Sequence, residues 1–309
     1  MSKNLKKETA DKLKGLIETY KFSEAQLANK IEISADTLQD ILKEQYDNLG
    51  SYEWEKTIDF IDEFTGNFYD TELTGIVFRM LNTAYSEKGL IVITSNSGAG
   101  KTTAVRRYGM VNSHALYLRV TGVFTKRYLL QKILKALGNP YEGMEIFTMF
   151  DSVCKLLQKK NYIIIIDEAE RLSVSLIELL RDIYDDGNVS LALIGLHTLR
   201  DLLIYGNRKK RDRLVQVTSR IDYQRVVDIL KPKDVQKVIE DKLADNLISS
   251  KKIEQLSKTY ENDGGMRAII KLCNLIIKLY ETNKSKINCI DDELVDAAVQ
   301  KLNIRKNDR

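Results

Sequence analysis

Residues 90–103 read LIVITSNSGAGKTT, and this stretch decides the fold. Its first part, Leu90–Thr94, is a short apolar run that predicts a buried β-strand. Its second part, Ser95–Thr102, sets two glycines before a lysine and a threonine, and we expect a helix to begin at Thr103. A glycine-containing turn from a strand into a helix points backbone N–H groups at an anion. The stretch therefore predicts a loop that binds phosphate groups.

The side chains of this loop suit a nucleoside triphosphate bound with magnesium. Gly98 and Gly100 let the backbone curl around phosphate oxygens. Lys101 can reach the β- and γ-phosphates, and the Thr102 hydroxyl can bind Mg²⁺. Ser95 stands where the motif usually has its first glycine, which leaves open whether loop geometry or affinity is altered. The predicted ATP-binding residues of the loop are Ser95, Asn96, Ser97, Gly98, Ala99, Gly100, Lys101, Thr102 and Thr103.

A second run, Tyr162–Ala169, reads YIIIIDEA and ends an apolar strand with two adjacent carboxylates. In parallel α/β sheets the carboxyl ends of the strands face the ligand crevice. We expect Asp167 to hold Mg²⁺ through water, and Glu168 to orient and polarise the water that attacks the γ-phosphate. The two runs together predict an ATPase, with Thr102 and Asp167 at the metal and Glu168 as a catalytic residue.

Hydrophobic periodicity divides the chain into three regions. From Leu90 to Val227, the β-rich runs GLIVIT, ALYLRV, YIIIID and SLALIG alternate with amphipathic helices, which indicates a parallel sheet covered on both faces. Before and after this part, the apolar residues recur at helical spacing. The sequence therefore predicts an α/β fold with an all-α domain at residues 1–70, an αβα core at 71–230 and a helical lid at 231–309.

The first region contains a candidate helix-turn-helix at Ser23–Leu42, with Ser34 as the N-cap of the second helix. The turn has Glu32 where glycine is usual. The second helix carries Asp36 and Asp40, which DNA phosphates would repel. Two interpretations therefore stay open, an auxiliary DNA-binding module and a module that docks a protein partner.

Three segments, GAGKTT, IIIIDEAERL and SLALIGLHTLRDLL, together resemble the AAA+ ATPases of the phage Mu B transposition type. The resemblance covers nearly the whole chain, because that family also has an N-terminal helix-turn-helix and a helical C-terminal segment. It implies a P-loop AAA+ fold with ATP and Mg²⁺ as cofactors. It also implies a homo-oligomer or helical filament on double-stranded DNA, which a phage or another mobile element uses to deliver target DNA to a transposase.

The same resemblance assigns roles to two arginines. In LVQVTSRIDYQ, Arg220 matches the arginine finger that reaches the γ-phosphate of a neighbouring subunit, and it is a second catalytic candidate. In NDGGMRAIIKLC, Arg267 follows two glycines and resembles the second sensor, which contacts the nucleotide from the lid. The first sensor falls on His197 or Thr198, or is absent.

Basic residues outside the loop are candidates for contacts with DNA phosphates. One group lies in RKKRDR at residues 208–213, for which a solvated or subunit-contact loop is the alternative. The other lies around the start of the helix after ALYLRV. Neither group has a base-reading pattern, so we expect binding that is largely indifferent to DNA sequence. The predicted DNA-binding residues are Arg119, Lys126, Arg127, Lys209, Lys210 and Arg211.

Bulk composition sets the remaining expectations. The chain has 48 basic and 44 acidic residues, and its three cysteines show no paired spacing, which favours a reducing compartment. We find no signal-peptide pattern and no apolar stretch of membrane-spanning length, so the expected location is the cytoplasm, without a membrane partner. Two other functions stay open: a helicase-loader or replication-initiator ATPase, and a nucleotide-gated transcription regulator that uses the helix-turn-helix.

Overall fold

The structure is a computed structural model, and it describes residues 3–20, 22–46, 49–65, 68–205, 211–227, 230–243, 247–261, 263–284 and 288–307. The chain forms two compact units. The first comprises residues 1–68, 80–92 and 105–224, and the second comprises residues 69–79, 93–104 and 225–309. The domain limits at residues 70 and 230 stay predictions, because they rest on hydrophobic period alone.

The N-terminal part of the first unit is helical, with α1 (Lys3–Tyr20), α2 (Glu24–Ile31), α3 (Ala35–Leu42) and α4 (Ser51–Thr65). The Ser34 hydroxyl accepts the N–H of Thr37 at 3.0 Å, so Ser34 is the N-cap of α3, as predicted. Glu32 adopts the left-handed conformation in the turn, with φ 67°. Its carboxylate pairs with Lys56 at 2.9 Å, which helps to hold a residue other than glycine at this position.

The sheet contains β1 (Leu90–Thr94), β2 (Ala115–Arg119), β3 (Ile163–Asp167), β4 (Ser190–Gly195) and β5 (Ile221–Val226). The strand order is β2-β3-β4-β1-β5, and β3 runs parallel to both β2 and β4. Every residue of β1, β3 and β4 is buried, as is typical of parallel strands covered on both faces. The predicted parallel α/β sheet is therefore confirmed.

The edge strand β5 is not predicted by the sequence pattern. Its residues from Asp222 to Val226 are exposed, so β5 lacks the buried apolar run that marks β1, β3 and β4. The Asp222 carboxylate accepts the N–H of Leu90 at 2.7 Å, and the Tyr223 hydroxyl donates to Glu87 at 3.0 Å. Side-chain hydrogen bonds thus contribute to holding this edge.

Helices precede and separate the strands, and they are α5 (Glu72–Glu87), α6 (Lys101–Val111), α7 (Lys126–Ala136), α8 (Ile146–Gln158), α9 (Val174–Gly187), α10 (His197–Tyr205) and α11 (Arg211–Thr218). The prediction that a helix begins at Thr103 is wrong by two residues. The Gly100 carbonyl already accepts the N–H of Ala104 at 2.9 Å, so α6 begins at Lys101. A short 3-10 turn, Ala169–Arg171, follows β3.

The N-terminal helices share a hydrophobic core with α6. Met110 is buried in the cluster formed by apolar side chains of α1 to α4. The Lys30 ammonium donates to the carbonyl of Gly109. The Arg107 guanidinium donates to the carbonyl of Phe64 and lies 4.5 Å from the centre of its ring. The helix that follows the phosphate-binding loop is therefore anchored to the N-terminal helices near its C-terminal end.

The C-terminal region is helical, with α12 (Pro232–Lys242), α13 (Ser250–Tyr260), α14 (Gly265–Asn283) and α15 (Asp292–Asn307). Buried apolar residues of these helices form one cluster within the second unit. Pro232 begins α12, where its missing N–H would have no intrahelical partner, and Ser249 caps α13. No helix in the described part of the chain is long and apolar enough to cross a membrane.

Candidate functional site

The phosphate-binding loop lies in the second unit between β1 and α6. Its left-handed positions are Gly98, with φ 79°, and Gly100, with φ 104°. L-residues rarely adopt such angles, so both positions favour glycine. The N–H groups of the first turn of α6 follow directly, which is an arrangement that binds phosphate. Of the other predicted loop residues, the half-buried ones are Asn96, Ala99 and Thr102, and the exposed ones are Ser97 and Thr103.

Lys101 is buried against the loop that precedes it. Its ammonium donates to the carbonyls of Ser95 and Asn96, each at 2.8 Å, and to the Ser95 hydroxyl at 3.2 Å. Ser95 itself is fully buried. The serine that replaces the usual glycine therefore gives Lys101 a hydroxyl partner in addition to two carbonyls.

The N-terminal end of α14 contacts the loop within the second unit. The N–H of Arg267 donates to the carbonyl of Gly98 at 3.3 Å. A Cβ atom at Gly98 would lie 2.0 Å from the carbonyl oxygen of Gly264, and one at Gly265 would lie 3.1 Å from the carbonyl oxygen of Gly98. Glycines in the loop and at the start of α14 thus permit the two backbones to approach each other closely. Arg267 meets the loop through its backbone, while its side chain is exposed.

Asp167 ends β3 in the first unit and is 1% exposed. Both oxygens of its carboxylate accept hydrogen bonds. The N–H of Glu168 donates to Oδ1 at 3.0 Å, and the hydroxyl of Tyr117 on β2 donates to Oδ2 at 3.0 Å. These two donors are uncharged, so they leave the negative charge of the carboxylate available to a cation.

Glu168 has a left-handed backbone, with φ 56° and ψ 38°. Such a conformation costs roughly 1–3 kcal/mol for a residue other than glycine and persists where its surroundings hold it. Two arginines bind its carboxylate: Arg119 Nε lies 2.8 Å from Oε1, and Arg171 Nε lies 2.7 Å from Oε2. The hydrogen bond from Arg119 and the charge of Glu168 raise the pKa of Arg119. A predicted DNA contact therefore binds a predicted catalytic residue.

Glu170 joins the same turn to the end of β4. Its Oε2 accepts the N–H of Leu196 at 3.1 Å. A Cβ atom at Gly195 would lie 2.5 Å from this oxygen, so the glycine makes room for the carboxylate. His197 begins α10 directly after this contact. Glu170 thus fixes the strand end at which the first sensor is expected.

Arg220 lies between α11 and β5. Its Nε donates to the Asp185 carboxylate at 2.8 Å, and its Nη1 donates to the carbonyl of Gln216 at 2.6 Å. The side chain is 37% exposed. The predicted finger is therefore positioned by residues of its own chain.

Two of the predicted DNA contacts stand at the start of α7. Lys126 and Arg127 are exposed, and Arg127 Nη2 donates to the carbonyl of Met144 at 2.9 Å. The N-cap of α7 is Thr125, whose hydroxyl accepts the N–H of Tyr128. Basic side chains at a helix N-terminus add to the positive end of the helix dipole, which suits an anionic partner.

The basic run before β5 falls largely outside the described residues. Lys209 and Lys210 lie outside the described part of the chain. The backbone of Arg211 begins α11, but its side chain also lies outside the described part of the chain. The contribution of this run to DNA binding stays a prediction.

Sequence reasoning missed two residues that hold the carboxylates at the end of β3. Arg171 follows Glu168 by three residues on a helical turn, a spacing at which opposite charges often pair. That spacing could have indicated the contact. Tyr117 comes to Asp167 through the pairing of β2 with β3, and the sequence contains no local signal for the register of two strands.

Comparison with known proteins agrees with this geometry. A family profile described as AAA domain matches residues 83–203. The ATP-dependent target DNA activator B of Escherichia phage Mu is 21% identical over 266 residues, which cover 83% of this chain and 84% of that protein. The Mu-like prophage FluMu DNA transposition protein B of Haemophilus influenzae is 25% identical over 199 residues, which cover 60% of this chain and 68% of that protein.

A solved structure shares the fold. The Aeropyrum pernix ORC1 protein in complex with DNA has a TM-score of 0.54 and 14% identity, over 78% of this chain and 69% of that chain. At this identity the likeness concerns the fold alone. The profile match thus identifies an AAA domain at residues 83–203, and over most of its length the chain is similar to the B protein of phage Mu.

Proposed function

We propose that the chain binds and hydrolyses ATP with Mg²⁺, assembles on double-stranded DNA in its ATP-bound state, and delivers that DNA to a transposase. The phosphate-binding loop carries the proposal, because its two left-handed glycines and its buried Lys101 suit a nucleotide phosphate. The names of the two relatives, a target DNA activator and a DNA transposition protein, support delivery of target DNA. The cytoplasm as the location stays a prediction.

Nucleotide binding rests on the loop of the second unit. The Lys101 ammonium exchanges carbonyl partners for β- and γ-phosphate oxygens, and the N–H groups at the start of α6 donate to the phosphates. The exposed guanidinium of Arg267 adds positive charge from the start of α14. Because the backbones of Gly98 and Arg267 are hydrogen bonded, the loop and the lid helix respond together to the nucleotide.

The residues present fit Mg²⁺. Asp167 offers a carboxylate that its two uncharged donors do not neutralise, and Thr102 offers a hydroxyl. Within the described residues, no group of three or more His, Cys, Asp or Glu side chains could hold a metal ion. Asp167 and Thr102 are few ligands, as suits a cation that completes its shell with phosphate oxygens and water. When bound, Mg²⁺ neutralises charge on the phosphate oxygens.

Hydrolysis uses Glu168 and Arg220. Glu168 accepts a hydrogen bond from the attacking water once its carboxylate is free of Arg119 and Arg171. Arg220 reaches the γ-phosphate of a neighbouring subunit and stabilises the charge that develops there. Because the finger acts between subunits, hydrolysis depends on assembly, and the nucleotide state then controls how long DNA is held.

DNA binding uses phosphate contacts of the ATPase region. The exposed cations Arg119, Lys126 and Arg127 and the run Lys209–Arg211 supply positive charge without a pattern that reads bases. In the N-terminal helices, α3 carries two carboxylates, which oppose phosphate contact. These helices are therefore an auxiliary DNA-binding or partner-docking module.

The nucleotide step is tested with two variants. Lys101→Ala should lose ATP affinity in calorimetry and ATP-dependent DNA retention on filters, because the phosphate charge is left unbalanced. Glu168→Gln should keep ATP affinity and stay on DNA, while turnover falls by about a hundredfold or more. Wild-type ATP affinity in the first variant would contradict the role of the loop. Wild-type turnover in the second would remove Glu168 from the mechanism.

Each variant has a matched control. Lys159→Ala removes an exposed lysine at the end of α8 and should leave ATP affinity unchanged. Glu170→Gln makes the same chemical change two residues from Glu168, and its amide oxygen can still accept the N–H of Leu196, so turnover should be retained.

Delivery of DNA is tested with the partner. A transposase encoded beside the gene for this chain should insert into DNA that the ATP-bound protein occupies. Loading of a replicative helicase instead would support the helicase-loader alternative. Operator-selective binding that needs the N-terminal helices would support a transcription regulator.

A further inference from the structure

The Asp167 carboxylate is fixed from two directions. Its Oδ1 accepts the N–H of Glu168, and its Oδ2 accepts the hydroxyl of Tyr117, each at 3.0 Å. An ionised carboxylate has about four acceptor positions, so roughly two remain. A hydrogen bond from the backbone N–H alone would still let the carboxylate rotate about its Cβ–Cγ bond. A second donor on the other oxygen prevents this rotation. The direction of the remaining acceptor positions is therefore set by Tyr117.

The position of Tyr117 is itself set by the strand and by α6. Tyr117 pairs with Ile165 in the parallel register of β2 and β3. On the other side, a Cβ atom at Gly109 would lie 2.9 Å from the Cβ atom of Tyr117, so α6 approaches β2 closely where it has glycine. Tyr117 is therefore held beside Asp167 by the strand register and by the close approach of α6.

We propose that Tyr117 is a positioning residue for the divalent cation that accompanies the nucleotide, acting through its hydrogen bond to Asp167. The inference rests on the proposed function, in which Asp167 holds Mg²⁺ through water. Residues that orient a metal-binding carboxylate typically contribute about 10- to 100-fold to metal affinity. Tyr117 thus contributes to Mg²⁺ affinity without contacting the cation or the substrate.

Tyr117→Phe tests the inference, because it removes the hydroxyl and keeps the ring beside Gly109. ATP binding by calorimetry and steady-state hydrolysis are both measured over a series of Mg²⁺ concentrations. We expect the Mg²⁺ concentration for half-maximal ATP binding and for half-maximal hydrolysis to rise about tenfold. At saturating Mg²⁺, kcat should stay within about threefold of the wild type, since Glu168 and Arg220 are unchanged.

A matched control separates positioning from packing. The hydroxyl of Tyr108, on α6, donates to Asn82 Oδ1 at 2.8 Å, so Tyr108→Phe removes a buried hydrogen bond that does not involve a carboxylate. This variant should lower the thermal midpoint as Tyr117→Phe does, but leave the Mg²⁺ dependence unchanged. A second variant, Gly109→Ala, pushes the Tyr117 ring and should raise the half-maximal Mg²⁺ concentration like Tyr117→Phe.

The outcomes are distinguishable. A wild-type Mg²⁺ dependence in Tyr117→Phe, in protein that binds and hydrolyses ATP, would overturn the role of Tyr117 and leave the proposed function intact. An equal shift in Tyr108→Phe would also overturn it, because the effect would then follow from packing. If the wild-type chain binds ATP with no dependence on Mg²⁺, the proposed metal role of Asp167 fails, and the inference fails with it.

Discussion

Arg119 Nε lies 2.8 Å from Glu168 Oε1, so a residue predicted to bind DNA holds the residue predicted to activate water. Arg119, at the end of β2, pairs with Asp167, at the end of β3, in the parallel register of the two strands. Glu168 directly follows Asp167, so Arg119 and Glu168 lie at the ends of adjacent strands. Arg171 holds the other carboxylate oxygen. A DNA phosphate that binds Arg119 would therefore release one side of Glu168.

The first prediction compares Arg119→Ala with Arg171→Ala. Each substitution frees one oxygen of Glu168, and exposed ion pairs of this kind are worth about 0.2–1 kcal/mol. We expect the hydrolysis rate without DNA to rise in both variants, by up to about fivefold. Only Arg119→Ala should also weaken DNA binding and lower the salt dependence of its affinity by about one unit. Rates at the wild-type level in both variants would show that the ion pairs do not restrain Glu168.

The fold was predictable where burial imposes a pattern. The runs that became β1 to β4 are apolar because buried parallel strands contact hydrophobic neighbours on both faces. The edge strand β5 has no such requirement, and its exposed residues gave no periodic signal. The start of α6 was misplaced because nothing in GAGKTT distinguishes the last loop residue from the first helical one.

The sequence indicates which residue types are candidates for the site, but not the contacts that they make. Gly98 was expected to permit a tight turn, but its contact with Gly264 joins segments far apart in sequence, and only the folded chain reveals it. In the same way, the pairing of Arg119 with Glu168 depends on strand register. A sequence motif names the groups that can do the chemistry, whereas the residues that orient them come from packing.

The second prediction concerns Lys30, whose ammonium lies in the interface between α2 and the end of α6. Burial lowers the pKa of Lys30 to about 8 from 10.5. Between about pH 8 and 10 the unfolded chain holds a proton that the folded protein has released, so this group makes the free energy of unfolding rise with pH. We expect the wild type to gain about 1–3 kcal/mol over this window relative to Lys30→Met. Denaturation by urea at several pH values measures the difference.

The charge environment of Lys30 supports this window. The nearby His114 has a pKa lowered by burial and by the charge of Lys30, so it titrates below the window. Lys159→Met, at an exposed lysine, controls for general effects of alkaline pH and should follow the wild-type curve. A constant difference between wild type and Lys30→Met from pH 7 to 10 would contradict a lowered pKa.

The third prediction separates the finger from the nucleotide site. Arg220→Ala and Lys101→Ala subunits should each be inactive alone, but a mixture should regain activity at interfaces that pair an intact loop with an intact finger. With random assembly, about a quarter of the interfaces are of this kind. Arg181→Ala removes a neighbouring arginine that pairs with Asp182, and it should stay active as the control. No recovery in mixtures that co-assemble would count against Arg220 as a finger acting between subunits.

The last prediction concerns how the full-length chain holds DNA. A fragment lacking residues 1–72 is not a clean test, because α1 to α4 bury Met110 of α6 and their removal would expose it. Substitutions in the full-length protein avoid this problem. Neutralising Lys209, Lys210 and Arg211 together should weaken ATP-dependent DNA binding for all sequences. The slope of log affinity against log salt should fall by up to about three units, roughly one for each lost phosphate contact.

The control for this triple variant lies on α3. Asp36→Ala with Gln39→Ala alters the exposed face of the candidate recognition helix and leaves its buried Leu38 and Ile41 in place. If the ATPase region binds DNA through phosphates, this pair of substitutions should change neither affinity nor salt slope. Base contacts carry specificity, whereas phosphate contacts carry salt dependence. If instead the α3 variant loses sequence preference and the triple variant keeps the wild-type salt slope, DNA binding belongs to the N-terminal helices.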